Sequence, residues 1–352
     1  MKKSSVLNYT NFFKEVVGRE ESQILRVEEL AAMFSDSRIL IIGAGGSIGS
    51  ALARRLVVAQ IPNVYCLDRD ESALHALALN LSDTAAALSN KCFIGDIRDP
   101  QSIRDVIIKV RPDIVIHAAA LKHLVILERF PREAYLTNIL GTLNVAELCV
   151  ELGVEKFVNI STDKAANPIS ILGKTKKLGE LTTEEVFNGS SLNQNSVRFG
   201  NVFASRGSVI ETFIHQIKNG LPVTITDEKV ARFFMSHNEA ANLVLAAASL
   251  KESGTYIQNM GDEVPIMEIV NRIAQYLGLT PKINIIGLQN GEKMHEELFD
   301  GPSMPTDFSS ISRSVHSIKN GLVADLKAHL PENNIEAVIQ LEALTSKYIW
   351  KK

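Results

Sequence analysis

A short polar segment has the residue types for acid–base chemistry. Residues 161–164, Ser-Thr-Asp-Lys, place two hydroxyls, a carboxylate and an ammonium side by side. Downstream, Leu172 and Lys176 lie four positions apart in a helix-patterned stretch, so both are expected on one helix face. A carboxyl group and an amine in one small volume can give and take protons at neighbouring substrate atoms. The alternative is a polar strand-to-helix connection with a helix cap.

The glycine-rich turn after the first apolar run indicates a phosphate-containing ligand. Its candidate binding residues are Gly43, Gly46, Ser47, Ile48 and Gly49. Such a turn brings backbone close to a pyrophosphate, and the helix that it opens supplies free N–H groups and a positive dipole end. The alternative is a purely structural turn. The strand before it, the helix after it and an acid ending the next strand favour dinucleotide binding.

The residues that end the second and third apolar runs bear on which cofactor binds. Asp68 is placed to hydrogen-bond the ribose hydroxyls of the adenosine. A carboxylate repels a 2′-phosphate, which favours NAD over NADP. Arg69 next to it could receive that phosphate, so NADP stays open as the less favoured cofactor. Asp96 and Ile97 are placed to meet the adenine or, alternatively, only to turn the chain after a strand.

The elements that position these residues alternate along the chain. Apolar runs occupy residues 38–45, 63–70, 91–99, 112–120, 156–164 and 195–203. Helix-patterned stretches occupy residues 48–60, 70–88, 100–110, 132–152 and 173–188. Apolar strands that alternate with helices form β-α-β units and a parallel sheet buried on both faces. The sequence therefore predicts an α/β fold with a Rossmann-type, doubly wound parallel sheet over residues 37–203.

The pattern changes on both sides of this region. Residues 204–352 are expected to form a smaller C-terminal substrate-binding lobe, interwoven with the main domain. Helices are predicted at 207–220, 236–251 and 330–350, and short strands at 223–227, 255–261 and 282–287. Residues 1–36 have apolar positions at helical spacing and predict one or two short helices, or else a partly ordered extension.

Composition excludes several classes of protein. Of the 352 residues 45% are hydrophobic and 22% charged, with a net charge of −3, so no general affinity for nucleic acid or anionic membrane is expected. No stretch approaches the about 18 apolar residues of a membrane span, and the start is not expected to be a signal peptide. Three separated cysteines suggest a reducing cytoplasm. The histidines show no ligand-like spacing, so no metal site is predicted.

A family resemblance rests on five stretches: STDKAANP, AALKH, RFGNVFASRGS, ARFFMS and GLQNGEKMHEEL. They resemble the UDP-N-acetylglucosamine 4,6-dehydratases, nucleotide-sugar enzymes of a polysaccharide-biosynthesis family within the extended short-chain dehydrogenase/reductases. The resemblance runs in order from about residue 15 to about residue 300. It implies bound NAD, a UDP-sugar substrate and a homo-oligomer.

The resemblance also implies a reaction and roles for residues. NAD takes hydride from C4 of the sugar, water leaves across C5 and C6, and the hydride returns to C6. Thr162 is implied to orient the C4 hydroxyl, Asp163 to act as acid at C6 and Lys164 to act as base at C5. We expect burial to raise the pKa of Asp163 and to lower that of Lys164. Lys176 is implied to hold the nicotinamide ribose.

Other residues are placed by the same resemblance around the two ligands. The nicotinamide is implied to lie against Ala118, Ala119 and Ala120. The substrate is implied to contact Lys122, His123, Asn201, Arg206, Arg232 and Glu292. Guanidinium groups suit phosphate oxygens, and Glu292 fits the uridine ribose, although Gln289 and Asn290 replace the Arg and Pro usual before its motif.

Leu172 stands where most short-chain relatives have a tyrosine that takes the substrate's hydroxyl proton. Leucine cannot take a proton, and several members of the resembled family also have an apolar residue there. Asp163 or a bound water are the candidates for the C4 hydroxyl proton. The rival functions are a UDP-sugar 4-epimerase or C4 oxidoreductase, against which Leu172 argues, and a catalytically silent nucleotide-sugar-binding protein. The sequence leaves open whether C5 is inverted.

Overall fold

The apolar runs of the sequence become the strands of one large sheet. The computed structural model describes residues 9–82, 90–315 and 319–349. Its strands are β1 (Ile39–Ile42), β2 (Val64–Asp68), β3 (Cys92–Ile94), β4 (Ile114–His117), β5 (Lys156–Ile160), β6 (Asn193–Arg198), β7 (Asn201–Val202), β8 (Pro222–Ile225), β9 (Ala231–Arg232), β10 (Phe234–Met235), β11 (Gly254–Gln258), β12 (Val264–Pro265), β13 (Lys282–Ile285), β14 (Ser303–Pro305) and β15 (Ile311–Ser314).

Helices follow most of these strands, as the alternation predicts. They are α1 (Tyr9–Val17), α2 (Val27–Phe34), α3 (Ser47–Val58), α4 (Glu71–Leu81), α5 (Pro100–Val110), α6 (Leu124–Arg129), α7 (Pro131–Ala134), α8 (Gly141–Glu151), α9 (Ile171–Phe187), α10 (Val209–Lys218), α11 (His237–Ser249), α12 (Ile266–Leu277), α13 (Leu322–Ala328) and α14 (Asn334–Tyr348). Among the described residues, no helix combines the length and apolar composition that crossing a bilayer requires.

The main sheet has nine strands in the order β14-β15-β11-β6-β5-β4-β1-β2-β3. All neighbours from β11 to β3 are parallel, whereas β15 and β14 are antiparallel. The strand order reverses between β1 and β4, and ligands of such sheets bind outside the carboxyl ends of the strands at this point. The predicted α/β fold with a doubly wound parallel sheet is confirmed.

The central strand β1 shows why its sequence is apolar at every position. Ile39 and Ile41 pack with α3 and α11 on one face of the sheet. Leu40 and Ile42 pack with α5 and α8 on the other face. Successive side chains of a strand point to opposite faces, so a strand covered on both sides needs a continuous apolar run.

Two predicted elements differ from the structure. The helix predicted over 70–88 ends as α4 at Leu81, and residues 83–89 lie outside the described residues. The helix predicted over 132–152 is divided into α7, a π-helical turn (Tyr135–Leu140) and α8. Within that turn, the side chain of the buried Asn138 accepts a hydrogen bond from the Leu121 backbone N–H at 2.8 Å. The same side chain donates a hydrogen bond to the Leu121 carbonyl at 3.0 Å. The turn thereby fixes the loop that follows β4.

The C-terminal half of the chain contributes to two places. Strands β11, β14 and β15 extend the main sheet, and α13 and α14 pack near α9. Helices α10 and α12 form a second apolar core with α1, in which Phe12 and Phe13 contact Phe203. The chain division at residue 203 stays a prediction.

A buried ionic cluster ties together the elements that end at the carboxyl edge of the sheet. The Arg198 guanidinium, on β6, donates to both Glu180 carboxylate oxygens at 2.8 and 2.6 Å and to both Asp300 oxygens at 2.9 and 3.0 Å. Lys177 lies 2.7 Å from Asp300, and the Ser161 hydroxyl donates to Glu180 at 2.6 Å. Burial acts to raise the pKa of Glu180, but the neighbouring cations lower it to about 2.

Removal of the central cation should destabilise the fold strongly. Arg198→Ala removes the cation that both buried carboxylates share and leaves them the partial neutralisation that Lys177 gives. We expect a loss of about 3–5 kcal/mol in the free energy of unfolding, measured by urea denaturation. Because the pKa of Glu180 lies below its ordinary value of 4.5, its stabilising contribution is present above pH 4.5 and disappears as the pH falls toward 2. The difference in stability between the native protein and the variant should therefore be largest above pH 4.5 and should narrow as the pH falls toward 2. Arg104→Ala, an exposed control, should match the native protein.

Candidate active site

Two neighbouring cavities open at the carboxyl edge of the sheet, on either side of the glycine-rich turn. The larger, of about 520 Å³, is lined by the predicted residues Gly46, Ser47, Ile48, Gly49, Ala118, Ala120, Lys122, His123, Thr162, Lys164, Lys176, Asn201 and Arg206. The smaller, of about 230 Å³, is lined by the predicted residues Gly43, Gly46, Asp68, Arg69, Asp96, Ile97, Ala118, Ala119, Ala120 and Arg206. Asp163, Arg232 and Glu292 lie outside both linings.

The glycine turn has the close contacts that only glycine allows. Gly43 has φ +84°, and a Cβ there would lie 2.5 Å from the Ala119 backbone nitrogen. A Cβ on Gly49 would lie 2.2 Å from the Gly43 carbonyl oxygen. Gly46 caps α3, whose first residue is Ser47. The turn is therefore packed against the end of β4, with the start of α3 facing both cavities, which fits a dinucleotide pyrophosphate.

Asp68 holds the far side of the glycine turn. Its carboxylate accepts hydrogen bonds from the backbone N–H groups of Gly45, at 2.8 Å, and Asp70, at 3.0 Å. Asp68 lines the smaller cavity, and both of its oxygens support the glycine turn and the residue after β2. The smaller cavity thus has the shape and acceptor that an adenosine needs.

Arg69 is half exposed, and its guanidinium lies 3.9 Å from Asp96. Asp96 pairs more closely with Arg98, at 2.9 Å. Burial acts to raise the pKa of Asp96, but the hydrogen bonds and charge of Arg98 lower it overall. Asp96 therefore stays ionised and keeps Arg69 near the rim of the smaller cavity. The buried Ile97 gives that cavity an apolar wall.

The segment around Arg206 lies over the glycine turn and touches both cavities. Its guanidinium donates to the Gly45 carbonyl, and its backbone N–H donates to the Ser47 hydroxyl at 3.1 Å. The Lys122 ammonium donates to the Arg206 carbonyl at 2.9 Å, and burial lowers the pKa of Lys122. Two cations predicted to bind phosphate therefore lie where the cavities meet.

The acid–base segment begins directly after β5. Thr162 and Lys164 line the larger cavity, and Asp163 is fully buried behind them. One Asp163 carboxylate oxygen accepts from the Thr162 hydroxyl at 2.8 Å and from the Lys164 ammonium at 3.0 Å. The other oxygen, Oδ2, is buried without a hydrogen-bond partner among the described residues. Protons from the cavity therefore reach Asp163 through Thr162 or Lys164.

A second carboxylate, from the loop between β13 and β14, contacts Lys164. Glu296 Oε1 lies 3.3 Å from the Lys164 ammonium. Burial acts to lower the pKa of Lys164, but the charges of Asp163 and Glu296 outweigh burial and raise it. The expectation that Lys164 has a lowered pKa is wrong, because sequence shows burial but not two anions around one amine. Lys164 therefore rests as an ammonium.

Lys176 and Leu172 lie together on α9 and both face the larger cavity. Burial lowers the pKa of Lys176 to about 8, partly opposed by the charge of Glu180. Lys176 is therefore a cation at neutral pH and loses its charge at mildly alkaline pH. Leu172 gives the same wall an apolar surface.

Arg232 and Glu292 form a separate pair, 3.0 Å apart, behind the larger cavity. Arg232 also donates to the Met294 carbonyl at 3.0 Å, and Glu292 accepts from the Thr226 hydroxyl at 3.0 Å. The structure thus brings Asn201 and Arg206 into the cavity wall but holds Arg232 and Glu292 together apart from it. His123 lies on the rim next to Gly207, and burial lowers its pKa.

The contacts of two residues near the site could not be predicted from the sequence. Glu296 lies within the quoted GLQNGEKMHEEL stretch, but adjacent glutamates usually form an exposed face, and only the fold shows that Glu296 is buried and Glu297 exposed. Asn138 interrupts a helical pattern without any distinct signal. Both act through long-range contacts.

Curated relatives cover most of the chain. It is 39% identical to an uncharacterized membrane protein of Methanocaldococcus jannaschii, with 77% of this chain and 83% of the relative aligned. It is 36% identical to the capsular polysaccharide biosynthesis protein CapD of Staphylococcus aureus, over 82% of this chain but only 49% of CapD. It is 36% identical to a UDP-glucose 4-epimerase of Rickettsia canadensis, with 77% of this chain and 80% of that relative aligned. The chain thus spans about half the length of CapD.

Solved structures share the fold. Pen from Bacillus thuringiensis is 34% identical, with a TM-score of 0.68 and 76% of this chain and 83% of Pen covered. MoeE5, solved with UDP-glucuronic acid and NAD, is 25% identical, with a TM-score of 0.63. The match covers 74% of this chain and 88% of MoeE5. A model of the family described as polysaccharide biosynthesis protein matches residues 39–314. The chain therefore belongs to the polysaccharide biosynthesis protein family.

Proposed function

We propose that this protein is an NAD-dependent nucleotide-sugar dehydratase that converts UDP-N-acetylglucosamine to a UDP-4-keto-6-deoxy sugar for surface polysaccharide. The observation that carries the proposal is the contact set of Thr162, Asp163 and Lys164 at the wall of the larger cavity. It offers an acid and a base 3.0 Å apart, on a strand end where open parallel sheets bind ligands. Self-association, which the family resemblance implies, stays a prediction.

NAD is the cofactor that the two cavities fit. The start of α3 and the tight glycine turn face the position of a pyrophosphate, Asp68 lies beside the smaller cavity, and Lys176 lies beside the larger one. The structurally similar MoeE5 was solved with NAD and a UDP-sugar, which supports the same pair of ligands here. Arg206 and Lys122 supply positive charge between the cavities, where phosphates of either ligand would lie.

The reaction assigns each proton to a residue. NAD, when bound, would supply the hydride acceptor for C4 and the hydride donor for C6. Thr162 receives the C4 hydroxyl proton and passes its own proton to Asp163, to which it is already hydrogen-bonded at 2.8 Å. Lys164, as a neutral amine, removes the C5 proton. Asp163 gives its proton to the departing C6 hydroxyl, which leaves as water, and Lys164 returns a proton to C5.

A second candidate is a UDP-sugar 4-epimerase. The observation in its favour is the set of 36%-identical Rickettsia relatives named UDP-glucose 4-epimerase. Epimerisation needs a group that takes and returns the C4 hydroxyl proton, and Leu172 cannot be that group. Asp163, through Thr162, can take the C4 proton in either reaction. Epimerisation has no use for an amine at C5, whereas water elimination needs a second proton-transferring group such as Lys164, which favours dehydration.

The first experiment incubates purified protein with UDP-N-acetylglucosamine in deuterated water and measures the product by mass spectrometry and NMR. We expect loss of one water and deuterium at C5, because Lys164 exchanges its protons with solvent. An inverted C4 with no loss of water would instead establish the epimerase. An unchanged sugar after addition of NAD and then NADP would contradict both assignments for this substrate.

Asp163→Asn should abolish turnover and leave ligand binding intact. The amide keeps the shape and one acceptor of the carboxylate but cannot carry the proton, so kcat should fall about 100- to 10,000-fold. NAD retention and UDP affinity, measured by calorimetry, should stay native. Asp105→Asn, the same change on an exposed part of α5, is the control. Native kcat in the Asp163 variant would exclude Asp163 as the acid.

Asp68→Asn should weaken the preference for NAD over NADP. The amide still accepts from Gly45, but the charge that repels a 2′-phosphate is lost. We expect the ratio of NADP to NAD dissociation constants to fall about tenfold. Asp99→Asn, an N-cap of α5 for which Asn is an equally good cap, should change neither constant. An unchanged ratio in Asp68→Asn would mean that Asp68 serves the glycine turn alone.

A further inference from the structure

Glu296 is a buried carboxylate that the proposed reaction leaves without a task. Its Oε1 lies 3.3 Å from the Lys164 ammonium and 3.9 Å from the Arg232 guanidinium. Its Oε2 is buried and has no hydrogen-bond partner among the described residues. The residue is held by its backbone N–H, which donates to Glu263 at 2.9 Å. Buried carboxylate oxygens are normally satisfied, so one left unpaired next to an acid–base pair indicates a proton-carrying role.

The proton balance of the proposed dehydration requires a third site, and this step rests on that proposed function. The C4 hydroxyl and C5 each release a proton before either proton is used again. With Leu172 in place of a titratable group, Asp163 must accept the first and Lys164 the second. Asp163 must therefore begin ionised and Lys164 must begin as a neutral amine, yet the structure holds Lys164 as an ammonium.

The proton that Lys164 sheds cannot go to Asp163. A protonated Asp163 could no longer accept the C4 hydroxyl proton through Thr162. The remaining acceptor within reach of the ammonium, among the described residues, is Glu296.

We propose that Glu296 stores the proton of Lys164 during the reaction. The N–H bond of the ammonium breaks and an O–H bond forms on the Glu296 carboxylate, which leaves a neutral amine and a neutral acid. The three groups Asp163, Lys164 and Glu296 have a total charge of −1 before and after the transfer. When the C5 position has been reprotonated, Lys164 recovers its proton from Glu296.

The surroundings of Glu296 suit a group that gains and loses a proton. Burial raises its pKa, and the charge of Asp163 raises it further. The cations Lys164, Arg232 and Lys293 act in the opposite direction. The Glu263 carboxylate also faces Glu296, because it accepts the hydrogen bond from the Glu296 backbone N–H. Glu296 thus acts on the substrate only through Lys164.

The test is Glu296→Gln, an amide of the same shape that cannot store a proton. C4 oxidation should continue, because Asp163 is still ionised, but Lys164 stays protonated and cannot remove the C5 proton. We expect the reduced nicotinamide and the 4-keto sugar to accumulate, and the deuterium incorporation at C5 to fall about 100-fold. UDP affinity and NAD retention should be native. Glu297→Gln, the exposed neighbour, should behave as the native protein.

The pH profile separates proton storage from a structural role. As the pH rises, Lys164 can lose its proton to solvent, so the ratio of variant to native rate should rise toward alkaline pH. The ratio cancels the loss of charge on Lys176, which both proteins share. A native rate in Glu296→Gln would overturn the proposal. So would an equal loss of C4 oxidation and C5 exchange together with a variant-to-native rate ratio that does not change with pH.

A second variant guards against misfolding. Glu296→Asp keeps a carboxyl group but withdraws it from Lys164, and turnover should fall about tenfold with a ratio that also rises with pH. A native rate or a flat ratio for this variant would equally overturn the proposal. Absence of any product with the native protein would instead contradict the proposed dehydratase itself, so the two failures are distinguishable.

Discussion

The buried contact between Glu180 and Arg198 is the constraint on which the site depends. Glu180 lies on α9, one turn beyond Lys176, and Arg198 is the last residue of β6. Ser161, the first residue of the acid–base segment, is hydrogen-bonded to the same glutamate. A buried ion pair adds little net stability compared with apolar packing. Its effect here is geometric, because it fixes the end of β5, the helix α9 and the segment around Asp300 relative to one another.

The two lysines that line the larger cavity have pKa values shifted in opposite directions by their surroundings. Lys164 lies between two carboxylates, which raise its pKa, whereas burial dominates at Lys176 and lowers its pKa to about 8. The sequence places Lys164 at a strand end and Lys176 on the following helix, and it does not distinguish their charge states. The difference arises because Asp163, next to Lys164 in the chain, and Glu296, from the loop after β13, both face the Lys164 ammonium.

Much of the fold and part of the site follow from local sequence. The strands of the parallel sheet are continuous apolar runs because both faces are covered. The glycine turn is recognisable from its own spacing, although the backbone of Ala119 at the end of β4 is what packs against it. Strands β14 and β15 are short and lack a continuous apolar run, and they extend the sheet by pairing β15 with the edge of β11 and β14 with β15. The pairing of Arg232 with Glu292 and the burial of Glu296 likewise join segments distant in sequence, for which local patterns give no signal.

Leu172 limits what helix α9 can contribute to proton transfer in the larger cavity. It packs in an apolar cluster with Tyr135, Ile139 and Ile171 while it lines the cavity. A phenol at this position would place a proton acceptor on the helix, next to Lys176. With leucine there, the helix contributes an apolar wall and one cation to the larger cavity. In the proposed reaction, proton transfer therefore falls to Asp163 and Lys164 at the end of β5, with Glu296 in contact with Lys164.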